Sequence, residues 1–292
     1  MSGPIEVTAA LLKTMPLPVP NTDTDKDGRG RVLVIAGSGE VPGALLLAGE
    51  AALRAGAGKL QLAGPESATR GLGLLAPEAR VFALAEQDGE IASADDVLPF
   101  IAKCDALLLG PGMIDENRAR LLARQVLGDV GGPSFVIDAA AMMGLWDDPE
   151  LVRRHGGCVV LTPHAGEMAK LMGAQKEDVE ADPMKAARQA AERLNAVVAV
   201  KGKHTFVASP GGGAWVHHSH AVGLATSGSG DVLAGLITGL LARGASAEQA
   251  ALWGIFLHGQ AGVRLSASVG PLGFLARELA GEVPALMAEL SV

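Results

Sequence analysis

The chain has 292 residues, a formal net charge of −8, 49% hydrophobic residues and 19% charged residues. This composition excludes an intrinsically disordered chain, which combines low hydrophobicity with high net charge. Aromatic residues reach only 3%, Tyr is absent and Lys and Arg do not cluster, so a surface that stacks on or coats nucleic acid is disfavoured.

Short apolar runs alternate with helical patterns along most of the chain. After an N-terminal segment over 1–25, strands are predicted at 31–36, 58–63, 80–84, 105–109, 134–138, 158–161 and 196–200. Helices are predicted between them at 43–55, 116–127 and 184–194. Because these strands are apolar on both alternating faces, we expect a mainly parallel sheet with helices on both sides.

The pattern changes after residue 200. Strands at 204–208 and 214–217 flank a segment with Pro210 and three glycines, which predicts an antiparallel hairpin on a sheet edge. Helices follow at 230–242, 248–265 and 275–290, and Ser246 and Gln249 have the spacing of a capping box. Neither a repeat nor a long linker divides the chain, so residues 26–292 are predicted to form one domain.

The strongest candidate for chemistry is the loop 225–231, which runs into an apolar helix. Gly228, Ser229 and Gly230 let backbone N–H groups converge at a helix start, which predicts a site for phosphate or for a developing oxyanion. Asp231 could then take the proton from an attacking hydroxyl, as in phosphoryl transfer. The alternative is that Asp231 only stabilises the helix N-terminus, which would leave the glycines unexplained.

The loop 161–167 is a second candidate. Pro163 suits the first turn of a helix, which places His164 and Glu167 together in that turn. His164 could donate to a substrate oxygen or amide, or the loop could be only a surface capping turn. The arrangement that metalloproteases use for zinc is absent.

The segment 200–205 is a weaker candidate. Its lysines could grip a nucleotide phosphate, or they could mark a solvated hairpin edge that resists further strand pairing. Nearby, His217, His218 and His220 lack an acidic or Cys partner at ligand spacing, so no metal site is predicted there.

Two common nucleotide-binding fingerprints are absent. The loop 35–43 starts like the dinucleotide motif, but Pro42 stands where its last glycine belongs, and the Walker A pattern is missing. The loop 109–112 ends a strand with two glycines that allow a ligand to approach the backbone.

The location is predicted to be cytoplasmic, without a membrane anchor. The N-terminus has no signal-peptide pattern, and the longest apolar stretch, 232–242, is far shorter than the roughly 20 residues of a membrane span. Cys104 and Cys158 lie in apolar runs, and both are expected to be buried, reduced thiols.

Together these loops resemble the ribokinase-like superfamily and, within it, the ADP-dependent NAD(P)H-hydrate dehydratases. The resemblance extends to the last helix and comprises, in the family's order, Lys26, 30–38, 42–44, 54–58, 110–112, 137–139, 161–167, 201–205 and 228–231. One such motif is weak, but the ordered series is specific. It implies a ribokinase-like three-layer sandwich with a mainly parallel sheet and an antiparallel edge hairpin.

The resemblance also implies the chemistry. The substrate would be the S form of hydrated NADH or NADPH, which carries a hydroxyl at C6 of the nicotinamide ring, with ADP as co-substrate and Mg²⁺ accompanying the phosphates. Asp231 would deprotonate this hydroxyl while Gly228, Ser229 and Gly230 cradle the transferring phosphoryl group. The implied substrate contacts are Ala44, Gly112, His164 and Asp231. The implied nucleotide contacts are Lys201, Gly202, Lys203, His204, Thr205 and Gly230.

The chain departs from the family pattern at two places, where Ala140 replaces an Asp and Ala221-Val222 replace Asn-Pro. Unlike many relatives, it is expected to lack a fused epimerase domain, so a separate NAD(P)H-hydrate epimerase would act on the R form. A homo-oligomer is expected from the resemblance alone. Two alternatives stay open: a kinase of a vitamin-like alcohol of the hydroxymethylpyrimidine or thiazole type, and a nucleotide-binding regulator without turnover.

Overall fold

The computed structural model describes residues 3–19, 23–128 and 132–290, and within these ranges it contains one large sheet and one small sheet. The strands are β1 (Ile5–Glu6), β2 (Arg31–Ile35), β3 (Lys59–Pro65), β4 (Ala79–Leu84), β5 (Glu86–Gln87), β6 (Glu90–Ile91), β7 (Ala106–Leu109), β8 (Ser134–Ile137), β9 (Val159–Leu161), β10 (Val197–Val200), β11 (His204–Ala208) and β12 (Ala214–His218). The large sheet has the order β1-β12-β11-β10-β9-β8-β7-β2-β3-β4, and β5 pairs with β6.

Helices fill the connections between these strands. They are α1 (Ala9–Lys13), α2 (Gly43–Arg54), α3 (Glu66–Thr69), α4 (Leu72–Leu75), α5 (Leu98–Ile101), α6 (Glu116–Leu127), α7 (Glu150–Arg153), α8 (Ala165–Met172), α9 (Lys176–Ala181), α10 (Pro183–Leu194), α11 (Ser229–Ala242), α12 (Ala247–Ser268) and α13 (Ala276–Leu290). Two short 3-10 helices lie at Ala139–Met142 and Val222–Leu224. Every strand and helix predicted from the sequence overlaps an observed one.

The sheet is buried on both faces. Alternate residues of β2 point to opposite sides, so that Val32 and Val34 join one apolar cluster while Leu33 and Ile35 join the other. The first cluster contains α2, α11, α12 and α13, and the second contains α6, α8 and α10. The predicted three-layer sandwich is therefore confirmed.

The order of the strands creates a crevice between β2 and β7. From β2 the chain proceeds outward through β3 and β4, and then returns to place β7 on the other side of β2. The helix after β2, α2, packs in the first apolar cluster, whereas the helix after β7, α6, packs in the second. The two loops therefore diverge, and such a crevice at the carboxyl ends of strands is where open α/β sheets bind ligands.

The antiparallel hairpin returns the chain to this same edge. β11 runs antiparallel to β10, and β12 runs antiparallel to β11, so β12 has the direction of the parallel strands. Its end therefore lies at the carboxyl edge, from which a short 3-10 helix leads to the start of α11. The hairpin thus places the glycine loop beside the other strand ends.

The N-terminal segment belongs to the sheet and to the helical layer. β1 pairs in parallel with β12, outside the hairpin, and the N–H of Val7 donates to the Val216 carbonyl at 2.8 Å. The indole of Trp253 donates to the Met15 carbonyl at 2.9 Å. Residues 1–2 and 20–22 of the predicted segment lie outside the described residues. A strand of two residues is too short to show a periodicity, so the sequence did not reveal β1.

Two local expectations need correction. Cys104 is buried as predicted, but Cys158 is exposed because β9 starts one residue later and leaves it in the preceding turn. Ser246 caps α12 by accepting from the Gln249 N–H, whereas the Gln249 side chain donates to the Met15 and Pro16 carbonyls instead of completing a capping box. In the part of the chain that is described, no helix has the length and apolar character of a membrane span.

Candidate active site

The ends of three neighbouring parallel strands bring a buried ion pair together. Asp138, which follows β8, is only 3% exposed, and its Oδ1 accepts from the Thr162 hydroxyl at 2.7 Å and from Lys201 Nζ at 2.9 Å. Thr162 follows β9 and Lys201 follows β10. Burial alone would lower the pKa of Lys201, but the carboxylates of Asp138, Glu167 and Asp231 outweigh it and raise that pKa. Lys201 is therefore held as a cation.

Asp231 lies beside this ion pair, in the first turn of α11. Gly228 precedes the helix in the left-handed region with φ 84°, and a β-carbon at Gly230 would lie 3.4 Å from Lys201 Nζ. Burial, followed by the negative charge of Asp138, raises the pKa of Asp231 to about 6, although Lys201 acts in the opposite direction. The carboxyl group is thus poised to exchange a proton near neutral pH.

The first turn of α11 offers backbone donors to an anion. The N–H groups of the first residues of a helix have no partner within that helix, and they carry partial positive charge. The N–H of Ser229 already donates to the Thr226 carbonyl at 3.2 Å. The next two positions, Gly230 and Asp231, are therefore the backbone donors best placed to face an anion.

The loop 161–167 differs in detail from its prediction. Pro163 and His164 precede the helix, because His164 takes an extended conformation and caps α8, which begins at Ala165. The ring Nδ1 accepts from the N–H groups of Gly166 and Glu167, and the Glu167 carboxylate accepts from the His164 N–H, which forms a capping box. The structure therefore contains the capping turn that was one of the two alternatives. The ring of His164 is exposed, and its Nε2 lies 3.6 Å from Oε1 of Glu167.

The predicted substrate contacts Ala44 and Gly112 meet in the crevice between β2 and β7. Gly112 has φ 72°, and a β-carbon there would lie 2.7 Å from Ala44 Cβ and 2.8 Å from the Val41 carbonyl oxygen. The N–H of Gly37 donates to the Pro111 carbonyl at 2.7 Å and ties the two loops together. Only glycine fits at position 112 without displacing α2, which starts at Gly43.

The predicted nucleotide contacts lie at three places within 201–205 and, for Gly230, in the first turn of α11. Lys201 lies within a charged cluster with Asp138, Glu167 and Asp231, whereas Gly202 and Lys203 are exposed in the turn between β10 and β11. In β11, Thr205 is buried, and the His204 ring packs against the His218 ring with centroids 4.5 Å apart. Since β11 lies between β10 and β12, the alternative of a solvated edge does not apply to it.

Both departures from the family pattern lie in, or directly before, short 3-10 helices. Ala140 belongs to the 3-10 helix that follows Asp138 and packs partly against the second apolar cluster. Ala221 precedes the 3-10 helix that leads toward α11, and Val222 is exposed there.

Sequence reasoning missed several members of this site. Thr162 and Glu167 contribute to the charged cluster, and His258 of α12 contacts Ser229 across the helical layer at 2.9 Å. Thr162 directly follows β9 and Glu167 lies in the first turn of the next helix, α8, so their position in the loop region after a strand was the available signal. The side chain of His258 lies on a helix far along the chain, and no local pattern indicates its neighbour.

The chain is similar to known proteins along most of its length. The family model described as NAD(P)H-hydrate dehydratase matches residues 32–285. This chain belongs to the NAD(P)H-hydrate dehydratase family. A curated relative, the ADP-dependent (S)-NAD(P)H-hydrate dehydratase of Xanthomonas campestris pv. campestris, is 49% identical over 99% of both chains.

Other family members extend the likeness. The bifunctional NAD(P)H-hydrate repair enzyme Nnr of Moorella thermoacetica is 34% identical over 89% of this chain, which spans 49% of that longer protein. The ADP/ATP-dependent NAD(P)H-hydrate dehydratase of Bacillus subtilis, crystallised with ATP and Mg²⁺, superimposes with a TM-score of 0.83 at 26% identity and covers 99% of this chain and 100% of that one. The predicted ribokinase-like fold is confirmed by such matches.

Proposed function

We propose that this chain catalyses the ADP-dependent dehydration of the S form of hydrated NADH or NADPH, and so restores the reduced nicotinamide nucleotide. Family membership supports the reaction, and the relative from Xanthomonas carries that activity in its name over nearly the whole length of both chains. The observation that carries the mechanism is the Asp231 carboxylate, which stands at the start of α11 with its pKa raised to about 6.

The reaction proceeds in two steps. Asp231 takes the proton of the C6 hydroxyl, whose oxygen bonds to the terminal phosphorus of ADP while the bond to AMP breaks. The ring nitrogen then supplies its lone pair, the C6–O bond breaks and phosphate leaves. Loss of the proton from C5 restores the C5–C6 double bond. The N–H groups of Gly230 and Asp231 and the cationic Lys201 would offset the negative charge on the transferring phosphoryl group and on the departing AMP.

The residues assigned to the two ligands lie at different places along the carboxyl edge of the sheet. Gly112 and Ala44, the latter only 1% exposed, meet at the crevice between β2 and β7, where the hydrated nicotinamide would bind. Lys201, on the hairpin side, would contact the phosphates of ADP, with Gly202, Lys203, His204 and Thr205 along the rest of the nucleotide. His164, whose exposed ring caps α8, would contact the hydrated nucleotide.

Magnesium fits this site as an ion that binds together with the nucleotide. No group of three or more His, Cys, Asp or Glu side chains in the described part of the chain could hold a metal ion by itself. Mg²⁺ commonly uses one or two carboxylates together with substrate phosphates, and Glu167, near Lys201, is the carboxylate that would serve it. When bound, the ion would neutralise phosphate charge.

A single assay tests the reaction. Hydrated NADH, ADP and Mg²⁺ should recover the absorbance of reduced nicotinamide and release phosphate and AMP in equal amounts. A stable phosphorylated alcohol formed from hydroxymethylpyrimidine or thiazole substrates would instead identify a kinase. Tight nucleotide binding without any product would identify a regulator and contradict the proposal.

Asp231→Asn tests the base. The rate constant kcat should fall by about 10²- to 10⁴-fold because general-base help is worth that much, while the protein stays folded. Asp178→Asn is a matched control, since Asp178 occupies the same third position in α9 and is exposed. If both variants kept kcat and lost similar stability, Asp231 would only support its helix.

We further propose that the enzyme acts in the cytoplasm with a separate epimerase that supplies the S form. The relatives named as bifunctional repair enzymes match this chain over about half of their length, for example 49% in the Moorella protein, which leaves room in them for a second activity. Addition of an epimerase to the assay should raise recovery from a mixture of R and S forms to completion. A homo-oligomer is also expected.

A further inference from the structure

A histidine outside the reaction described above contacts the first residue of α11. His258 lies on α12, and its Nε2 is 2.9 Å from the Ser229 hydroxyl oxygen and 3.1 Å from the Ser229 carbonyl oxygen. Ser229 is the residue between the left-handed Gly228 and the donor Gly230, two positions before Asp231. The contact therefore crosses from the neighbouring helix to the turn that holds the base.

The carbonyl contact determines the protonation of this imidazole. A carbonyl oxygen can only accept a hydrogen bond, so Nε2 must carry the proton and donate. The same N–H then reaches the hydroxyl oxygen, which accepts. If only Nδ1 carried the proton, the lone pair of Nε2 would face the lone pairs of the carbonyl oxygen, and the two would repel each other. Burial lowers the pKa of His258 to about 4, which agrees with a neutral ring at physiological pH.

We infer that His258 is a positioning residue, which holds the first peptide group of α11 through Ser229 and so fixes the direction of the anion-binding N–H groups and of Asp231. The left-handed Gly228 next to this peptide group allows the turn to rotate, because glycine crosses this region of φ and ψ without steric penalty. The contact from His258 to Ser229 opposes such rotation. This inference rests on the proposed reaction only where it concerns rate.

Two substitutions separate the hydrogen bond from simple packing. His258→Leu removes the donor at similar volume, whereas His258→Gln places an amide N–H near the position of Nε2. His155→Leu is the matched control, since the Nε2 of the buried His155 contacts the Leu127 carbonyl at 3.2 Å. His155 precedes β9 and so lies at the amino ends of the strands, away from the site at their carboxyl ends. All three variants change a histidine that contacts a backbone carbonyl.

The kinetic test measures kcat and KM for each variant. His258→Leu should lower kcat by about 10- to 100-fold, because small misplacements of reacting groups have effects of that size, with KM for ADP within about twofold of wild type. His258→Gln should restore most of the loss, and His155→Leu should keep the wild-type kcat. Equal kcat in wild type and His258→Leu would overturn the inference, as would a loss that Gln does not repair.

Two further measurements do not depend on the reaction. Amide hydrogen exchange at residues 229–232 should become faster in His258→Leu and stay unchanged in His155→Leu. In wild type, ¹⁵N NMR of the imidazole should show a neutral ring protonated at Nε2 between pH 6 and 8. A ring protonated at Nδ1 would overturn the inference even if His258→Leu failed to fold. An inactive wild type with the expected NMR and exchange results would refute only the reaction.

Discussion

Asp231 combines two roles that the sequence presented as alternatives. It occupies the third position of α11, where any carboxylate gains from the helix N-terminus. Its pKa is nevertheless raised, since burial and the charge of Asp138 outweigh the attraction of Lys201. A residue that served only the helix would be expected to keep a low pKa, because the helix start favours the ionised form.

The activity should therefore depend on pH through Asp231. The base must be ionised, and kcat/KM reports the free enzyme, so we expect it to fall tenfold per pH unit below about pH 6. A profile that stays flat down to pH 4.5 would contradict the assignment. The Asp178→Asn variant should show the same profile as wild type.

The stability should change with pH in the same window, with a defined sign. Because the folded protein binds this proton more tightly than the unfolded chain, Asp231 destabilises the fold as pH rises from about 4 to about 6. Asp231→Asn should therefore be more stable than wild type at pH 7, by up to about 3 kcal/mol, and the difference should vanish near pH 4. Urea unfolding at the two pH values measures it.

The two thiols should differ strongly in reactivity. Burial raises the pKa of Cys104 to about 12, whereas Cys158 is exposed. A thiol reagent should modify one cysteine quickly in the native protein and the second only after unfolding. Cys158→Ser should remove the fast phase, and two fast equivalents in the native state would contradict the structure.

At the scale of elements, α11 and α2 approach each other so closely that glycine is required. A β-carbon at Gly235 would overlap the Ala48 carbonyl oxygen, and one at Gly239 would overlap that of Ala52. These positions repeat every four residues on both helices, so their backbones meet along one stripe. The contact places α11 next to α2, and α11 also packs over the strands β2, β7 and β8.

Gly235→Ala should accordingly destabilise the protein and displace the site. Extra atoms in a packed interface cost about 1–3 kcal/mol, and here the clash is with backbone. Gly281→Ala is the control, because a β-carbon there meets no atom within 4 Å, and the substitution should be neutral or stabilise α13 by about 0.5–1 kcal/mol. Thermal unfolding of both variants measures this difference in stability, and equal melting temperatures would contradict the close packing at Gly235.

The hairpin shows why strands were easier to predict from the sequence than the strands with which they pair. Its strands and glycine-rich turn were predicted from local sequence and are confirmed. The pairing of β1 outside β12 joins residues more than 200 positions apart through two residues of strand. Local patterns carry no information about such a partner.

At the scale of the whole molecule, the N-terminal segment packs against the helices on one face of the sheet. Leu12 of α1 is fully buried in the first apolar cluster, and Met15 accepts from the side chains of Gln249 and Trp253. These contacts tie α1 and the residues directly after it to α12, which also carries His258. The segment should therefore contribute to the stability of the site.

Leu12→Ala should destabilise the protein by about 2–5 kcal/mol, as for other leucines in packed cores. Leu74→Ala is the matched control, since Leu74 is 88% exposed and its truncation should change stability by less than about 0.5 kcal/mol. Unfolding in denaturant compares the two variants. Equal midpoints would mean that the segment is not docked in solution.

The sequence by itself determined the alternation of strands and helices, the hairpin, the glycine loop before Asp231 and the resemblance to a family. These features are local, because periodicity, glycine and proline act within a few residues. The tertiary structure decided that Asp138, Thr162 and Lys201 meet Asp231, that Ala44 meets Gly112, and that His258 contacts Ser229. Burial, pKa and hydrogen bonding depend on neighbours in space, and only the folded chain brings these distant residues together.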